Sequence, residues 1–277
     1  MSPAAATPPS YHRGGVGTPL VLLHGMTSSW RAWRPILPML ERHHETYAVT
    51  MPGHFGGRPM PEGEPVTIDA IVDELCVTLD ELGLDAPHVA GNSLGGWVAL
   101  ELARRGRASS VVALSPAGAW AMPLDMYRLL SLFRVGAVVA GWGPMQRLAA
   151  TVPFLRRILM RSISEHGDRY SGDEVEILFD DMAGCTVLGP LLSRATVDGP
   201  IRNFEAVPCP VRIAWAGSDR TIPFRSYGRP MLDAVPDADF VVLPGVGHVP
   251  MVDNPELVAW TILQHTRYVA EHASGSS

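Results

Sequence analysis

The chain has 277 residues, 47% of them hydrophobic and 18% charged, with a formal net charge of −6. That length holds one large α/β domain or two smaller ones with a full core, and the acidic balance argues against a nucleic-acid partner, which needs clustered cations. All 22 basic residues are Arg, which excludes chemistry built on a lysine: a Schiff base to pyridoxal phosphate, a P-loop, a Ser–Lys dyad.

Met1 to Pro9 has no basic stretch followed by a continuous apolar run, so no secretory leader is expected. Cys76, Cys185 and Cys209 are too few and too scattered for a disulfide framework, which points to a reducing, cytoplasmic setting. Leu20 to Leu23 is an apolar run ending at His24-Gly25. Trp30, Trp33, Ile36, Leu37 and Leu40 then recur at helical spacing, with Ser28 or Ser29 as N-cap. Tyr47 to Val49 is the next strand. Ile68, Ile71, Val72, Leu75, Leu79 and Leu82 mark an amphipathic helix that Gly83 can stop. Pro87 to Ala90 runs into Gly91, and a helix follows from Leu94 to about Arg104. Val111–Leu114, Val211–Trp215 and Phe240–Leu243 complete the strands. Continuous apolar strands alternating with helices predict a mostly parallel, doubly wound sheet covered on both faces.

The alternation stops between residues 117 and 205. Met126, Leu129, Leu130 and Phe133, then Phe154, Leu155, Ile158 and Leu159, have helical spacing, and Ser171 with Glu174 forms a capping-box pattern before Val175, Leu178 and Met182. The expected organisation is a core made of residues 1–116 and 206–277, with residues 117–205 inserted as a helical lid. The longest apolar stretch, Val135 to Gln146, is broken by Gly and Pro and is too short to span a bilayer.

Gly91-Asn92-Ser93-Leu94-Gly95 is a G-x-S-x-G between a strand and a helix. The glycines free a sharp turn of side chains so that the serine hydroxyl is presented. The helix N-terminus aims backbone N–H groups at negative charge developing beside it. A serine needs a base, and the base an orienting acid. Asp219 and His248 each lie just beyond a predicted strand, where a sheet enzyme presents its functional groups. The order Ser93, Asp219, His248 is nucleophile, acid, base. His43 and His44 fall at a helix end, His265 and His272 in the C-terminal helix or tail, and His24 and His54 in loops.

These motifs resemble the α/β-hydrolase superfamily, in the branch of lidded esterases that also holds C–C bond hydrolases and cofactor-free haloperoxidases. The resemblance runs from about Leu20 to Val269. Leu22 to Met26 is similar to the family's strand leading into its oxyanion loop, which implies an oxyanion hole of the Met26 and Leu94 N–H groups. Pro52-Gly53-His54 resembles the D-x-P-G-H-G-x-S loop, with Thr50 in place of Asp and Phe55 in place of Gly. Gly247-His248-Val249-Pro250 resembles the segment carrying the base. Epoxide hydrolases and haloalkane dehalogenases of this scaffold place Asp at the turn where this chain has Ser93. C–C hydrolases usually have a bulky aromatic after the catalytic His, where this chain has Val249.

The resemblance implies a serine hydrolase of small to medium carboxylic esters working through a covalent acyl-enzyme, with no metal or organic cofactor. Its expected partner is a small, apolar acyl substrate. No nucleic acid and no stable membrane insertion are expected, and a homodimer stays open. C–C bond hydrolysis, perhydrolysis and ligand binding without turnover are the rival readings.

From Met126 to Ser164 there are six Arg and no acids, whereas Glu165 to Asp181 holds seven acids and one Arg. We expect these stretches to complement one another on neighbouring lid helices, rather than to steer an anionic substrate. Most of Trp120, Met122, Met126, Trp142, Met145, Phe154 and Met160 are expected in the lid's core. Ser115 and Trp97 read as structural.

Overall fold

The computed structural model describes residues 7–201, 204 and 207–273; the expected domain boundary at 205 and 206 lies outside them. Seven strands form one sheet: β1 (Tyr11–Gly14), β2 (Thr18–Leu23), β3 (His44–Val49), β4 (His88–Asn92), β5 (Ser110–Leu114), β6 (Val211–Ala216) and β7 (Asp239–Leu243), in the order β1-β3-β2-β4-β5-β6-β7. β1 pairs antiparallel with β3, and every other pairing is parallel. The short chain before Leu20 thus supplies one edge strand.

The apolar runs are continuous because both faces are covered. Val21, Leu23, Val89, Val111, Ala113, Ile213 and Trp215 point to one face. There they meet α2 (Ile68–Glu81) and α3 (Leu94–Arg104). Leu20, Leu22, Ala90, Val112, Leu114, Ala214 and Ala216 point to the other, where they meet Trp33, Ile36, Leu37 and Leu40 and α11 (Pro255–Ala273), which follows the short α9 (Arg229–Ala234) and α10 (Pro250–Asp253). This alternation is the period-two signature of a strand buried on both sides. Thr67 Oγ1 accepts from Ala70 N (3.0 Å) to start α2, and Gly83, at φ +72°, follows its end.

The segment expected as one helix after Ser29 is instead a 3₁₀ turn, Trp30–Trp33, followed by the short α1 (Leu37–Leu40). Pro35 and Pro38 each lack an N–H, which breaks a continuous helix into pieces. His44 opens β3 instead of ending a helix. Its ring bonds Thr266 Oγ1 (2.9 Å), and the His88 ring beside it bonds Ser110 Oγ (2.8 Å).

Between β5 and β6 lie α4 (Pro123–Ala140), α5 (Gly143–Thr151), α6 (Pro153–Leu159), α7 (Gly172–Ala183) and α8 (Leu188–Asp198), with no strand among the described residues. The Ser171/Glu174 capping box forms in both directions, at 2.7 and 3.1 Å. This insertion is tied to loops at the C-terminal ends of the strands. Ser29 Oγ donates to Asp181 Oδ2 (2.7 Å), Thr186 N to Gly53 O (2.9 Å) and Val249 N to Ile163 O (2.7 Å).

Its side chains depart from expectation. Trp120, Met126 and Met160 are buried, but Met122, Trp142 and Phe154 are exposed. Charge complementarity is partial: Arg161 pairs with Glu165 (3.2 Å) and Arg157 approaches Asp168 (3.9 Å), while Arg134 and Arg147 have no acidic partner among the described residues. No helix of the described residues is long and apolar enough to cross a membrane.

Candidate active site

Ser93 sits between β4 and α3 at φ +57°, ψ −116°, a conformation that costs a non-glycine residue of order 1–3 kcal/mol. The turn tolerates it because its neighbours are bare. A Cβ on Gly91 would overlap the Gly95 carbonyl oxygen, and one on Gly95 would overlap the Leu23 carbonyl oxygen. The glycines therefore let α3 start directly against the end of β2. A Cβ on Gly25 would lie 3.3 Å from that of Ser93, so the loop after β2 passes the serine closely.

His248 and Asp219 come together on neighbouring loops after β7 and β6. Gly217 N donates to Leu243 O (2.8 Å) and Ser218 N to Val246 O (3.0 Å), which locks these loops side by side. Asp219 Oδ1 accepts from the N–H groups of Thr221 (3.0 Å) and Ile222 (2.8 Å), and Oδ2 accepts from His248 Nδ1 (2.7 Å). Both side chains are buried. Because an ionised carboxylate only accepts, Nδ1 carries the proton and Nε2 is left with its lone pair. His248 and Ser93 line one cavity of about 360 Å³. No hydrogen bond joins them among the described residues, and such bonds commonly tighten only when substrate is bound. A second lobe of about 90 Å³ adjoins at Ser93, Met26 and Thr221, walled by Trp97, Trp120, Met126, Leu129 and Leu191. Trp97, read as packing only, is thus also part of that wall.

The N–H groups of Met26 and Leu94 donate to no protein group among the described residues. The loop that carries Met26 is held by His24. Its Nδ1 donates to Gly25 O (2.8 Å), and its Nε2 accepts from Met51 N (2.9 Å). Burial, then the neighbouring His54 ring at 4.8 Å, pushes His24 well below the ordinary histidine range, so this imidazole stays a neutral brace. Burial likewise lowers His54 to about 4. His54 Nδ1 donates to Pro52 O (3.1 Å), and its buried Nε2 has no hydrogen-bond partner among the described residues. Thr50, in the family's Asp position, accepts from Trp30 N through Oγ1 (3.2 Å). Phe55 packs against Gly184 and does not line either lobe. Ser115 Oγ accepts from Ala216 N (3.0 Å), a structural role as expected.

Two supports escaped the motif reading. Asn92 Nδ2 donates to Leu114 O (3.2 Å) and His248 O (2.9 Å), joining the serine's strand to the histidine's backbone. The signal available was an amide at the end of a fully buried strand, where it must find partners. Asp253 is buried and accepts four hydrogen bonds: Oδ1 from Ser164 Oγ (2.5 Å) and His166 N (2.8 Å), Oδ2 from Glu165 N (2.8 Å) and Gly247 N (2.7 Å). It couples the residue before His248 to the insertion across 87 to 89 positions of sequence, a contact that no local pattern encodes.

Residues 20–259 match the sequence model of the Alpha/beta hydrolase family. The chain belongs to that family. It is similar to the epoxide hydrolase EphH of Mycobacterium tuberculosis, at 34% identity over 210 residues, 74% of this chain and 98% of that protein. A thermophilic esterase from Thermogutta terrifontis has the same fold, with TM-score 0.69 and 20% identity over 94% of this chain and 93% of the esterase. So does the meta-cleavage product hydrolase CumD of Pseudomonas fluorescens, with TM-score 0.66 and 18% identity over 93% of both chains. The chain is therefore a hydrolase of the α/β-hydrolase superfamily.

Proposed function

We propose that the protein is a serine hydrolase of small to medium carboxylic esters, with Ser93 as nucleophile, His248 as base and Asp219 as the group that orients it. The observation that carries this reading is the His248–Asp219 pair at 2.7 Å, with His248 lining the same cavity as a serine on a strained, glycine-flanked turn. His248 Nε2 takes the hydroxyl proton as Ser93 Oγ bonds to the acyl carbon. The carbonyl electron pair moves onto its oxygen, facing the Met26 and Leu94 N–H groups, a contribution worth about 3–4 kcal/mol per donor in comparable sites. Collapse of this intermediate breaks the bond to the leaving alkoxide, which takes the proton back from His248. Water, deprotonated by the same nitrogen, then adds to the acyl carbon and frees Ser93 and the acid. The insertion acts as a lid over the cavity, whose 360 Å³ suits a small organic substrate.

The likeness to an epoxide hydrolase favours one second reading, opening of an epoxide. Chemistry weighs against it. Alkylation of Ser93 by an epoxide would leave an ether, which has no carbonyl for water to attack, whereas an acyl-serine has one.

Ser93→Ala is expected to abolish both turnover of p-nitrophenyl esters and labelling by a fluorophosphonate. A panel of esters of increasing chain length, run beside one vinylogous diketone and one epoxide, assigns the bond. Ester hydrolysis that persists in Ser93→Ala would remove Ser93 from the mechanism, and turnover of the diketone or epoxide alone would replace the ester reading.

A further inference from the structure

α4, the turn between α4 and α5, and α6 carry large apolar side chains that stay exposed among the described residues: Tyr127 (57% exposed), Val138 (75%), Trp142 (56%) and Phe154 (71%). Scattered apolar residues are ordinary on a protein surface, but a concentration of this kind marks a binding face. The same stretch, Met126 to Ser164, has no acidic residue and six arginines. Arg156 is buried, and Arg128, Arg157 and Arg161 have acidic neighbours at 3.8, 3.9 and 3.2 Å. Arg134 and Arg147 have none among the described residues. The face is therefore apolar, aromatic and cationic together, on a chain whose net charge is negative.

We propose that this face docks reversibly on an anionic lipid surface. Exposed Trp and Phe enter the boundary between headgroups and acyl chains, while arginines are drawn to anionic headgroups. A second copy of the chain fits less well, because a two-fold interface would bring one set of arginines against the other. The face is also continuous with the catalytic cavity. Val135 (61% exposed) and Ile158 (52%) lie on it and line the cavity that holds Ser93 and His248. Docking thus sets the cavity mouth against the lipid, so an acyl chain can reach Ser93 without crossing water. The association is peripheral, since no described helix can span a bilayer.

The test is sedimentation of the full-length protein with sucrose-loaded vesicles of phosphatidylcholine alone, and of equal parts phosphatidylcholine and phosphatidylglycerol, at low and high salt. The protein is expected to sediment with the anionic vesicles, to be released as salt rises, and to stay in solution with the neutral ones. Arg134→Gln and Arg147→Gln should each lower partitioning about fivefold, and Trp142→Ser and Phe154→Ser at least about tenfold each. None of the four residues lines either lobe, so turnover of a short, water-soluble ester serves as the check on folding and should not change. No sedimentation, equal sedimentation with both vesicles, or variants that sediment as wild type would overturn the proposal. So would a dimer in analytical ultracentrifugation that Trp142→Ser dissociates. Ser93→Ala should bind vesicles like wild type, so loss of the esterase reading and loss of docking are separately visible.

Discussion

The turn that carries Ser93 and the helical insertion differ in what dictates their residues. At the turn, backbone crowds backbone: Gly91 and Gly95 have no room for a Cβ, and Ser93 is held at φ +57°. In the insertion, Gly143 and Gly189 meet nothing within 4 Å, although Gly167, Gly172 and Gly184 sit against neighbours, and helix α4 carries apolar side chains both toward the cavity and outward, where Arg128 and Arg134 join them. One region is defined by exclusion, which leaves Gly91 and Gly95 no alternative residue without a backbone shift. The other is defined by what each face touches, so its composition reports an environment more than a backbone.

The largest expected effect breaks the first half of that contrast. Gly95→Ala would drive a methyl group into the Leu23 carbonyl, which belongs to a central strand that cannot retreat. The expected loss exceeds the ~3 kcal/mol usual for an overfilled core, read as a collapse of the urea midpoint or as failure to recover folded protein. Gly189→Ala in α8 is the matched control and should be neutral or stabilising by about 0.5–1 kcal/mol. Equal melting of the two variants would show that crowding does not define the turn.

Asp253 joins the two regions, and Asp253→Asn tests whether the insertion positions the base. An amide nitrogen facing donors leaves two of its four partners unpaired, at about 1–3 kcal/mol each. As Gly247 N is one of the four and His248 follows it, kcat for a soluble ester should fall by more than KM changes. A lower melting temperature with unchanged kcat would make Asp253 a structural tie and not a positioning residue.

The sheet, its order of elements and the residues that meet at the site were legible because each has a local signature. Apolar runs such as Leu20–Leu23 need a helix on either side, and G-x-S-x-G needs a strand before it and a helix after. Proline escaped the periodicity that joined Trp30 to Leu40 into one helix, since apolar spacing survives a break in the hydrogen-bond ladder. Asp253 and the Ser29–Asp181 bond act across long stretches of chain, and a single sequence has no signal for them, whereas Asn92 shows only that a buried amide needs partners and not that one of them is His248 O. Trp142 and Phe154 misled for another reason. Helical spacing says that a face is apolar, not whether protein covers it.

Acid should separate the two regions by a smaller margin. Burial lowers the imidazoles of His24, His44 and His265 and brings His54 and His88 down to about 4, all in the sheet, its loops or α11. The insertion contains one histidine, His166. An unfolded imidazole titrates near 6.5, so between that value and about 4 the unfolded chain holds protons that the folded chain does not. Stability therefore rises with pH across this window and is lost as pH falls through it. At pH 5 a group such as His54 should remove about 2 kcal/mol relative to neutral pH. His44 and His88 open β3 and β4, on either side of β2, with their rings in contact and Ser110 of β5 bonded to His88, so the loss should appear first at the N-terminal ends of these strands. Hydrogen exchange at pH 5 is expected to rise in the β3 and β4 amides relative to neutral pH, after correction for the intrinsic rate, with little change in α4 to α6. Acceleration confined to α4 to α6 would reverse the comparison, placing the acid-sensitive contacts in the insertion instead of beneath the sheet.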